Sequence, residues 1–279
     1  MPELAEAEFY RKRWHQTASG RRVAETLTHD RAKIFRGTDA AVLRRALTGA
    51  RYLGSEAAAK QMVFRFTGPA GHLWLGVHLG MSGELRVEPR KYTPQKHDHL
   101  VLHLAGGPTL VFSDPRMFGR VQFQVGAEPP GWWTRIAPAI LSPAFTAAAV
   151  AAFLRRRARA PVKAVLLMQE RFPGVGNWMA DEILWRAAIH PKRRAGSLRL
   201  AEARALWREC RRVVRLALAT IAGHGDDLPP DLNVRIPRSW LFLHRWEAGG
   251  LCPKTKKPLV REEVGGRTTC WSPARQKLR

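Results

Sequence analysis

The sequence predicts an α+β protein, in which an N-terminal helix and an antiparallel β-sandwich precede a helical domain and a C-terminal β-hairpin. Between Met62 and Val125, short apolar runs are separated by Gly and Pro, as in a sandwich of short strands. From Phe145 the apolar residues recur at helical spacing. Near the end of the chain, LVREEVGGRTTCW has two strand-like runs around a Gly-Gly turn.

The individual elements follow in order along the chain. The first helix is predicted from Glu3 to about Trp14, because the acidic residues at its start suit the positive end of the helix dipole and Pro2 suits the first turn. The predicted strands are MVFRF, HLWLGVHL, HLVLHL, TLVFSD and RVQFQV. Helices are predicted in the Ala-rich segment after Phe145, in PVKAVLLMQE and in NWMADEILWRAA. A long amphipathic helix over residues 203–221 has an apolar stripe that belongs to the core.

The charge of the chain predicts a polyanionic partner. Its 279 residues include 47 Lys and Arg but only 23 Asp and Glu, a formal charge of +24, and nucleic acid is the first candidate. No apolar run has membrane-spanning length and no leader opens the chain, so we expect a cytoplasmic protein, nucleoid-associated when bound to DNA. Three scattered cysteines, without a CxxC pair, predict neither a disulfide framework nor a metal site.

The opening string MPELAEAE carries the first chemical signal. A small second residue such as proline normally allows removal of the initiator Met, which leaves Pro2 with a secondary amine. The positive end of a helix favours the neutral, nucleophilic form of such an amine. Attack on the anomeric carbon of a deoxyribose gives a cationic iminium that expels the base, and Glu3 is the nearest acid to protonate the sugar or the leaving group. By residue type alone, an ordinary helix start remains the alternative.

Four further strings accompany this start: HLGMSGEL, KHDHLVLHL, DPRMFGR and GVGNWMADEILWRAAIHP. Together with MPEL, and in this order, they resemble the formamidopyrimidine-DNA glycosylase and endonuclease VIII family from Met1 to about Pro191 and again at the tail. The resemblance implies that Pro2 is the nucleophile and Glu3 the acid, and it matches Glu6 to a second glutamate of the family. It also implies a helix-two-turns-helix domain around GVGNW.

The same resemblance implies a set of DNA contacts. Met81, Arg116 and Phe118 fill the space left by a flipped nucleotide, and Phe118 wedges the base stack. The residues matched to phosphate ligands are Lys60, Lys163, Asn177 and Arg267. By residue type alone, Met81 and Phe118 would be core residues and Arg116 a surface ion-pair partner. The alternative for Lys60 and Arg267 is a solvated surface side chain.

The C-terminal module departs from the family pattern of two CxxC pairs that bind zinc. Cys252 occupies the first ligand position, but Thr255, Ser272 and Arg275 occupy the other three. A closed zinc site needs four such ligands, so the sequence predicts a zincless finger that keeps Arg267 at its turn. The predicted domains are a catalytic sandwich with its helix (1–128), a linker (129–144), a helix-two-turns-helix domain (145–237) and the finger (238–279).

These observations predict a base-excision repair DNA glycosylase with apurinic/apyrimidinic (AP) lyase activity, acting as a monomer without cofactor or metal. Its partner is predicted to be double-stranded DNA with a damaged base or an abasic site. Oxidised bases, purines above pyrimidines, are the expected lesions, although residues 223–240 differ from the family's lesion-capping region. A catalytically silent binder of damaged DNA is the alternative function, and a basic RNA- or ribosome-associated protein is a third.

Overall fold

A computed structural model describes residues 2–278 and shows two compact units. The first comprises Met1–Ile136 and Ala222–Leu228, and the second comprises Ala137–Ile221 and Pro229–Arg279. The chain first passes from one unit to the other between residues 136 and 137, inside the predicted linker. The three boundaries between the four predicted segments stay a prediction, because the division into two units is coarser than the predicted one.

The first unit is a β-sandwich with helix α1 (Leu4–Ala18) at its start. Its remaining elements, in chain order, are β1 (Val23–Thr28), α2 (Ala40–Leu47), β2 (Arg51–Ala58), β3 (Gln61–Gly68), β4 (Gly71–His78), β5 (Glu84–Glu88), β6 (Asp98–Leu104), β7 (Thr109–Ser113), β8 (Arg120–Val125) and the short α3 (Gly131–Thr134). One antiparallel sheet has the order β1-β6-β7-β5 and the other the order β2-β3-β4-β8. The predicted α+β class and sandwich are confirmed.

Helix α1 packs against strands of both sheets. The Trp14 ring lies 5.1 Å from the ring of Phe64 in β3, and its Nε1 donates a hydrogen bond of 3.0 Å to the carbonyl oxygen of Arg86 in β5. Trp14 and Phe64 are almost fully buried. Burial of large aromatic rings is among the strongest contributions to a core, so α1 has a fixed place on the sandwich and positions whatever its N-terminus carries.

The second unit contains four helices and a hairpin. They are α4 (Ala147–Arg156), α5 (Val162–Leu166), α6 (Asn177–Ala187), α7 (Leu200–Ala217), β9 (Val260–Val264) and β10 (Arg267–Trp271). The buried residues of α7 recur every three or four positions, as the amphipathic pattern predicts. Within residues 2–278, no helix combines the length and the apolar character needed to cross a membrane.

The segment after α7 returns to the first unit and lies against α1. Nζ of Lys12 donates to the carbonyl oxygens of Ala222 (3.0 Å) and Gly223 (2.9 Å), and Nε2 of Gln16 donates to that of Asp226 (2.6 Å). The beginning of the divergent 223–240 segment is therefore held by side chains of the helix that carries Pro2.

Candidate active site

The N-terminus of α1 is closed by a capping box. The backbone N–H of Glu3 donates to Oε2 of Glu6 at 3.1 Å, and the side chain of Glu3 accepts from the backbone of Glu6. This arrangement satisfies two backbone donors that a helix start would otherwise leave open. Glu3 is only 1% exposed, and the half-buried Pro2 directly precedes it. A carboxyl group is thus fixed beside Pro2 at the positive end of the helix.

The contacts between α1 and β2 show which end of β2 lies next to the N-terminus of α1. Nη1 of Arg11 donates to Oγ of Ser55 at 3.0 Å, and Nδ1 of His15 lies 2.8 Å from the hydroxyl oxygen of Tyr52. As the residue numbers rise along α1 they fall along β2, so the two elements are antiparallel. The start of α1 therefore points towards the β2–β3 turn, where Lys60 lies.

A second loop lies at the same end. The loop with Met81 joins the end of β4 to Glu84 at the start of β5. His78 at the end of β4 pairs with Gln61, which follows the β2–β3 turn, so the loop and the turn lie at one end of the sandwich. Trp14 of α1 contacts Arg86 in β5, and burial, followed by the negative charge of Glu84, raises the pKa of Tyr10 in α1 to about 12.

The strand register brings the third loop to this end of the sandwich. Gln61 pairs with His78 and His78 pairs with Arg120, so the β2–β3 turn, the loop after β4 and the loop before β8 share one end of a sheet. Burial, followed by the positive charge of Lys60, lowers the pKa of His78. Lys60 is therefore close to the start of the Met81 loop. The structure brings together the predicted site residues of this unit.

Asp114 organises the two loops that carry the predicted void-filling side chains. Its buried carboxylate accepts hydrogen bonds from Oγ of Ser82 (2.7 Å) in the first loop, and from the backbone N–H groups of Arg116 (3.3 Å) and Gly119 (2.7 Å) in the second. Buried carboxylates with several donors are strongly held in place. One carboxylate thus fixes both loops relative to each other.

Gly80 allows the two loops to touch. Its φ is +63°, and a Cβ atom at this position would lie 2.4 Å from the backbone N of Gly119 and from the carbonyl carbon of Phe118. Any larger residue would push the loops apart, so glycine is required both for the conformation and for the close approach.

The three void-filling candidates project from this base. Met81 is 39% exposed, Phe118 is 52% exposed, and Arg116 is also exposed. The guanidinium of Arg116 lies 5.0 Å from the centre of the Phe118 ring, within the range of a cation–π contact. Met81 and Phe118 are therefore not core residues here, and an exposed aromatic with a stacked arginine is well suited to contact unstacked bases.

In the second unit, Asn177 begins α6 and contacts the hairpin. Its side-chain Nδ2 donates to the backbone carbonyl oxygen of Thr268 at 2.8 Å. The backbone carbonyl oxygen of Asn177 accepts from Nζ of Lys163 at 2.7 Å. Lys163 is fully buried and also forms an ion pair with Asp181. Its ammonium group does not reach the surface, so a direct contact between Lys163 and a phosphate stays a prediction.

Arg267 is exposed at the start of β10, directly after the hairpin turn. Gly265 and Gly266 have φ values of +62° and +74°, as a two-residue turn with both residues in the left-handed region requires. A Cβ atom at Gly265 would lie 2.8 Å from Cβ of Ala164, so the turn packs closely against α5. Asn177 and Arg267 are consequently held on adjoining elements of one unit.

Comparison with known proteins identifies the family. Residues 1–121 match the model of the formamidopyrimidine-DNA glycosylase N-terminal domain, and residues 136–226 match that of its H2TH domain. The formamidopyrimidine-DNA glycosylase of Alkalilimnicola ehrlichii is 35% identical over 99% of this chain and 100% of its own length. That of Thermus thermophilus is 36% identical over 99% and 98%. The chain belongs to the formamidopyrimidine-DNA glycosylase family.

Membership of the formamidopyrimidine-DNA glycosylase family makes the chain a base-excision repair DNA glycosylase, an enzyme with AP lyase activity. The fold agrees with this assignment. The Lactococcus lactis Fpg, in a complex with DNA containing an abasic site, has a TM-score of 0.85 at 24% identity and covers 99% of this chain and 100% of its own.

The finger of this glycosylase is stabilised by packing and hydrogen bonds at the position of the missing zinc ligands. Nε1 of Trp185 donates to the buried Sγ of Cys252 at 3.4 Å, and the guanidinium of Arg275 lies 5.2 Å from the Trp185 ring. Burial alone would raise the pKa of Cys252, but hydrogen bonds from Thr255 and Trp185 lower it to about 7. Within residues 2–278, no three His, Cys, Asp or Glu side chains are grouped to hold a metal ion.

Removal of metal ions is expected to leave the enzyme unchanged. Excess chelator should alter neither the melting temperature nor the rate of base removal, because Thr255, Ser272 and Arg275 replace three of the four zinc ligands and Trp185, Leu259 and the two finger cysteines pack into a buried cluster. Differential scanning calorimetry and an elemental analysis of the purified protein provide the measurement. Stoichiometric zinc, or a fall in melting temperature with chelator, would show that the finger is metal-dependent.

Two functional residues escaped the sequence analysis although they lie inside the quoted strings. Asp114 begins DPRMFGR and Asp181 lies within GVGNWMADEIL, but their partners, Ser82 and Arg245, are 32 and 64 residues away. In the case of Asp181 the available signal was a pair of adjacent carboxylates, Asp181 and Glu182, flanked by apolar residues on both sides, since such groups are rarely buried without a partner.

Proposed function

We propose that the enzyme removes oxidised bases from double-stranded DNA, purines above pyrimidines, through an iminium on the nitrogen of Pro2. The observation that carries this proposal is the common location of Pro2, Glu3 and the three loops with Lys60, Met81 and Phe118. The nucleophile and its acid are thereby next to side chains that suit the lesion phosphate and the vacated base position.

The chemistry follows from the properties of a secondary amine. The Pro2 nitrogen attacks C1′ of the damaged nucleotide and loses its proton, while the glycosidic bond breaks and the base leaves with a proton supplied through Glu3. The C1′–O4′ bond of the resulting aminal then breaks, O4′ takes up a proton, and a C1′=N iminium forms on Pro2. The iminium so formed is cationic, so a C2′ proton is lost readily and the 3′ carbon–oxygen bond breaks. Lys60 supplies positive charge near the phosphate, and Glu6 keeps Glu3 in position through the capping box.

The DNA contacts divide between the two units. Met81, Arg116 and Phe118 occupy the space of the extruded nucleotide. Asn177 and Arg267 bind backbone phosphate. The partner is duplex DNA with a damaged base or an abasic site, and the enzyme acts as a monomer in the cytoplasm, associated with the nucleoid when bound. Its relatives are named formamidopyrimidine-DNA glycosylases, and a formamidopyrimidine is a ring-opened purine, so the names support a purine-derived lesion.

Borohydride trapping tests this proposal. The protein is incubated with duplexes that carry an abasic site, 8-oxoguanine or an oxidised pyrimidine, and borohydride reduces any iminium to a stable covalent complex. We expect trapping on all three, fastest on the abasic site and faster on 8-oxoguanine than on the pyrimidine. Tight binding without trapping on any duplex would support the catalytically silent DNA-binding protein instead.

Replacing Phe118 by alanine is expected to lower base removal from duplex DNA by about tenfold or more, because one aromatic–base stacking contact contributes about 1–3 kcal/mol. The change in unfolding free energy should stay within about 0.5 kcal/mol, since the ring is half exposed. Single-turnover rates on an 8-oxoguanine duplex provide the measurement.

Leu53→Ala is the matched control, because Leu53 is 49% exposed in the same unit and belongs to none of the three loops. Lyase activity on a single-stranded abasic oligonucleotide should be unchanged in both variants. An equal loss in the single-stranded assay would assign Phe118 a role other than filling the base stack.

A further inference from the structure

We propose that Asp181 is a positioning residue for the phosphate-binding surface, by which we mean the surface formed by the half-buried Asn177 and the exposed Arg267. The inference rests on the phosphate role proposed for those two residues. Asp181 itself is about 1% exposed and does not touch DNA. It acts by fixing the start of α6 and the finger hairpin relative to each other.

Three groups from different parts of the second unit meet on this one carboxylate. Lys163 from α5 forms an ion pair with Oδ1. Oδ2 accepts from Nη2 (2.6 Å) and Nε (3.1 Å) of Arg245, which lies in the finger before the hairpin, and from the backbone N–H of Cys270 (3.0 Å) in β10. Both charged partners are buried, so these contacts are made at low dielectric constant, where their geometry is strictly defined.

One connection leads from Asp181 to Asn177. Lys163 is held by Asp181 and donates to the carbonyl oxygen of Asn177 at 2.7 Å, which fixes the first residue of α6. The side chain of Asn177 in turn donates to the carbonyl oxygen of Thr268. Nδ2 has a second N–H, which this orientation leaves for an acceptor such as a phosphate oxygen.

The other connection leads from Asp181 to Arg267. The bond from Cys270 N–H fixes β10 three residues after Arg267, and the Thr268 contact fixes it one residue after. Asp181 and Asn177 lie one turn apart on α6, so both contacts bring the same strand to the same helix. Loss of the carboxylate would release the hairpin at Cys270 and leave Lys163 free to move away from Asn177.

Energy considerations favour a positioning role over simple stabilisation. A buried group of one carboxylate and two cations is commonly no more stable than well-packed apolar residues of the same volume. Such a group instead fixes the relative positions of the helices and strands that carry its members. The finger, whose zinc ligands are replaced at three of four positions, depends on such contacts to hold its turn.

The test uses a duplex with a tetrahydrofuran abasic analogue, which the enzyme binds without cleaving. In one series all phosphates are natural, and in the other a neutral methylphosphonate replaces each phosphate flanking the analogue in turn. Dissociation constants are measured for the wild-type protein and for Asp181→Asn. For the wild type we expect one of these positions to be the phosphate that Asn177 and Arg267 bind. A methylphosphonate at that position should weaken binding by about tenfold to a hundredfold, as for loss of charge-assisted hydrogen bonds.

The losses of binding free energy caused by Asp181→Asn and by the methylphosphonate should not add. Asp181→Asn should weaken binding of the natural duplex by a similar factor and should bind the methylphosphonate duplex almost as well as the natural one. A merely structural residue would leave the wild-type sensitivity to methylphosphonate intact, and that result would overturn the proposal. Glu202→Gln is the matched control, because it breaks an ion pair of the same unit whose partners, Arg193 and Arg199, are not hairpin residues.

Asp181→Asn leaves two buried cations without a counter-charge, which can prevent folding. The triple variant Lys163→Met, Asp181→Leu and Arg245→Met removes all three charges and is measured in parallel. It should be folded and insensitive to methylphosphonate, whereas full sensitivity would again overturn the proposal. If the wild type itself is insensitive at every flanking phosphate, the phosphate role of Asn177 and Arg267 fails, and this inference fails with it.

Discussion

Replacing Pro2 by glycine is expected to lower the rate of base removal by about 10³-fold, which corresponds to about 4 kcal/mol in the activation barrier. Glycine keeps an N-terminal amine, but a primary amine gives a neutral imine that must be protonated before it withdraws electrons from the sugar. A secondary amine gives a cation at once. Single-turnover rates on an 8-oxoguanine duplex provide the measurement.

The control for Pro2→Gly is binding to the uncleavable tetrahydrofuran duplex. Because Pro2 lies before the first helical residue, Leu4, its loss should leave both the dissociation constant and the melting temperature almost unchanged. Intact-mass measurement must show that the initiator methionine is absent from both proteins. A Pro2→Gly enzyme as fast as the wild type would exclude Pro2 as the nucleophile.

Glu3→Gln is expected to lower base removal by about 10²- to 10⁴-fold, the usual contribution of a general acid. Glutamine has no acidic proton, but its amide oxygen still accepts the capping hydrogen bond from the start of α1. Replacing this buried acid at the helix N-terminus by a neutral amide costs up to about 2 kcal/mol of stability. Glu3→Gln is therefore expected to lower the rate of base removal strongly while the protein stays folded.

Glu8→Gln is the matched control for Glu3→Gln. Glu8 lies on the same helix and pairs with Arg11 at 2.6 Å, but it is part-exposed and outside the capping box. Its replacement should leave the rate of base removal within about twofold, as for most surface substitutions. Equal losses in both variants would mean that the charge of α1 matters, rather than an acid at Glu3.

The strands that the sequence missed all lie at sheet edges. The interior strands β3, β4, β6 and β7 were all predicted, because burial gives them apolar runs. The three missed strands, β1, β2 and β5, are edge strands, whereas the edge strand β8 was predicted because apolar and polar residues alternate in RVQFQV. Edge strands have one neighbour and carry polar or small residues, as in VAETLT, RYLGSEAA and ELRVE, so their pattern is weak.

Helix α1 was predicted from Glu3 to about Trp14 but extends to Ala18. Its last turn, HQTA, is polar apart from its alanine and has no helical pattern of its own. The turn is nevertheless stabilised by tertiary contacts, since His15 lies within hydrogen-bonding distance of Tyr52 and Gln16 binds the carbonyl oxygen of Asp226. Contacts over such sequence separations are not visible in a local pattern.

In the candidate site too, sequence analysis missed residues whose partners are far away in the sequence. Pro2, Glu3, Met81 and Phe118 were found because they stand in strings that resemble those of a known family. Asp114 and Asp181, which fix the loops and the hairpin, act through partners far away in the sequence. The depth of Lys163 was likewise unpredictable, because it depends on how α5, α6 and the finger pack together.

The central claim is that the nitrogen of Pro2 attacks the sugar. The most direct test is to trap the complex with borohydride on an abasic duplex, digest the protein with a protease and locate the reduced sugar by mass spectrometry. We predict the adduct on the N-terminal peptide, at Pro2. An adduct at Lys60, the lysine that lies at the same end of the sandwich, or at any other lysine would contradict the mechanism.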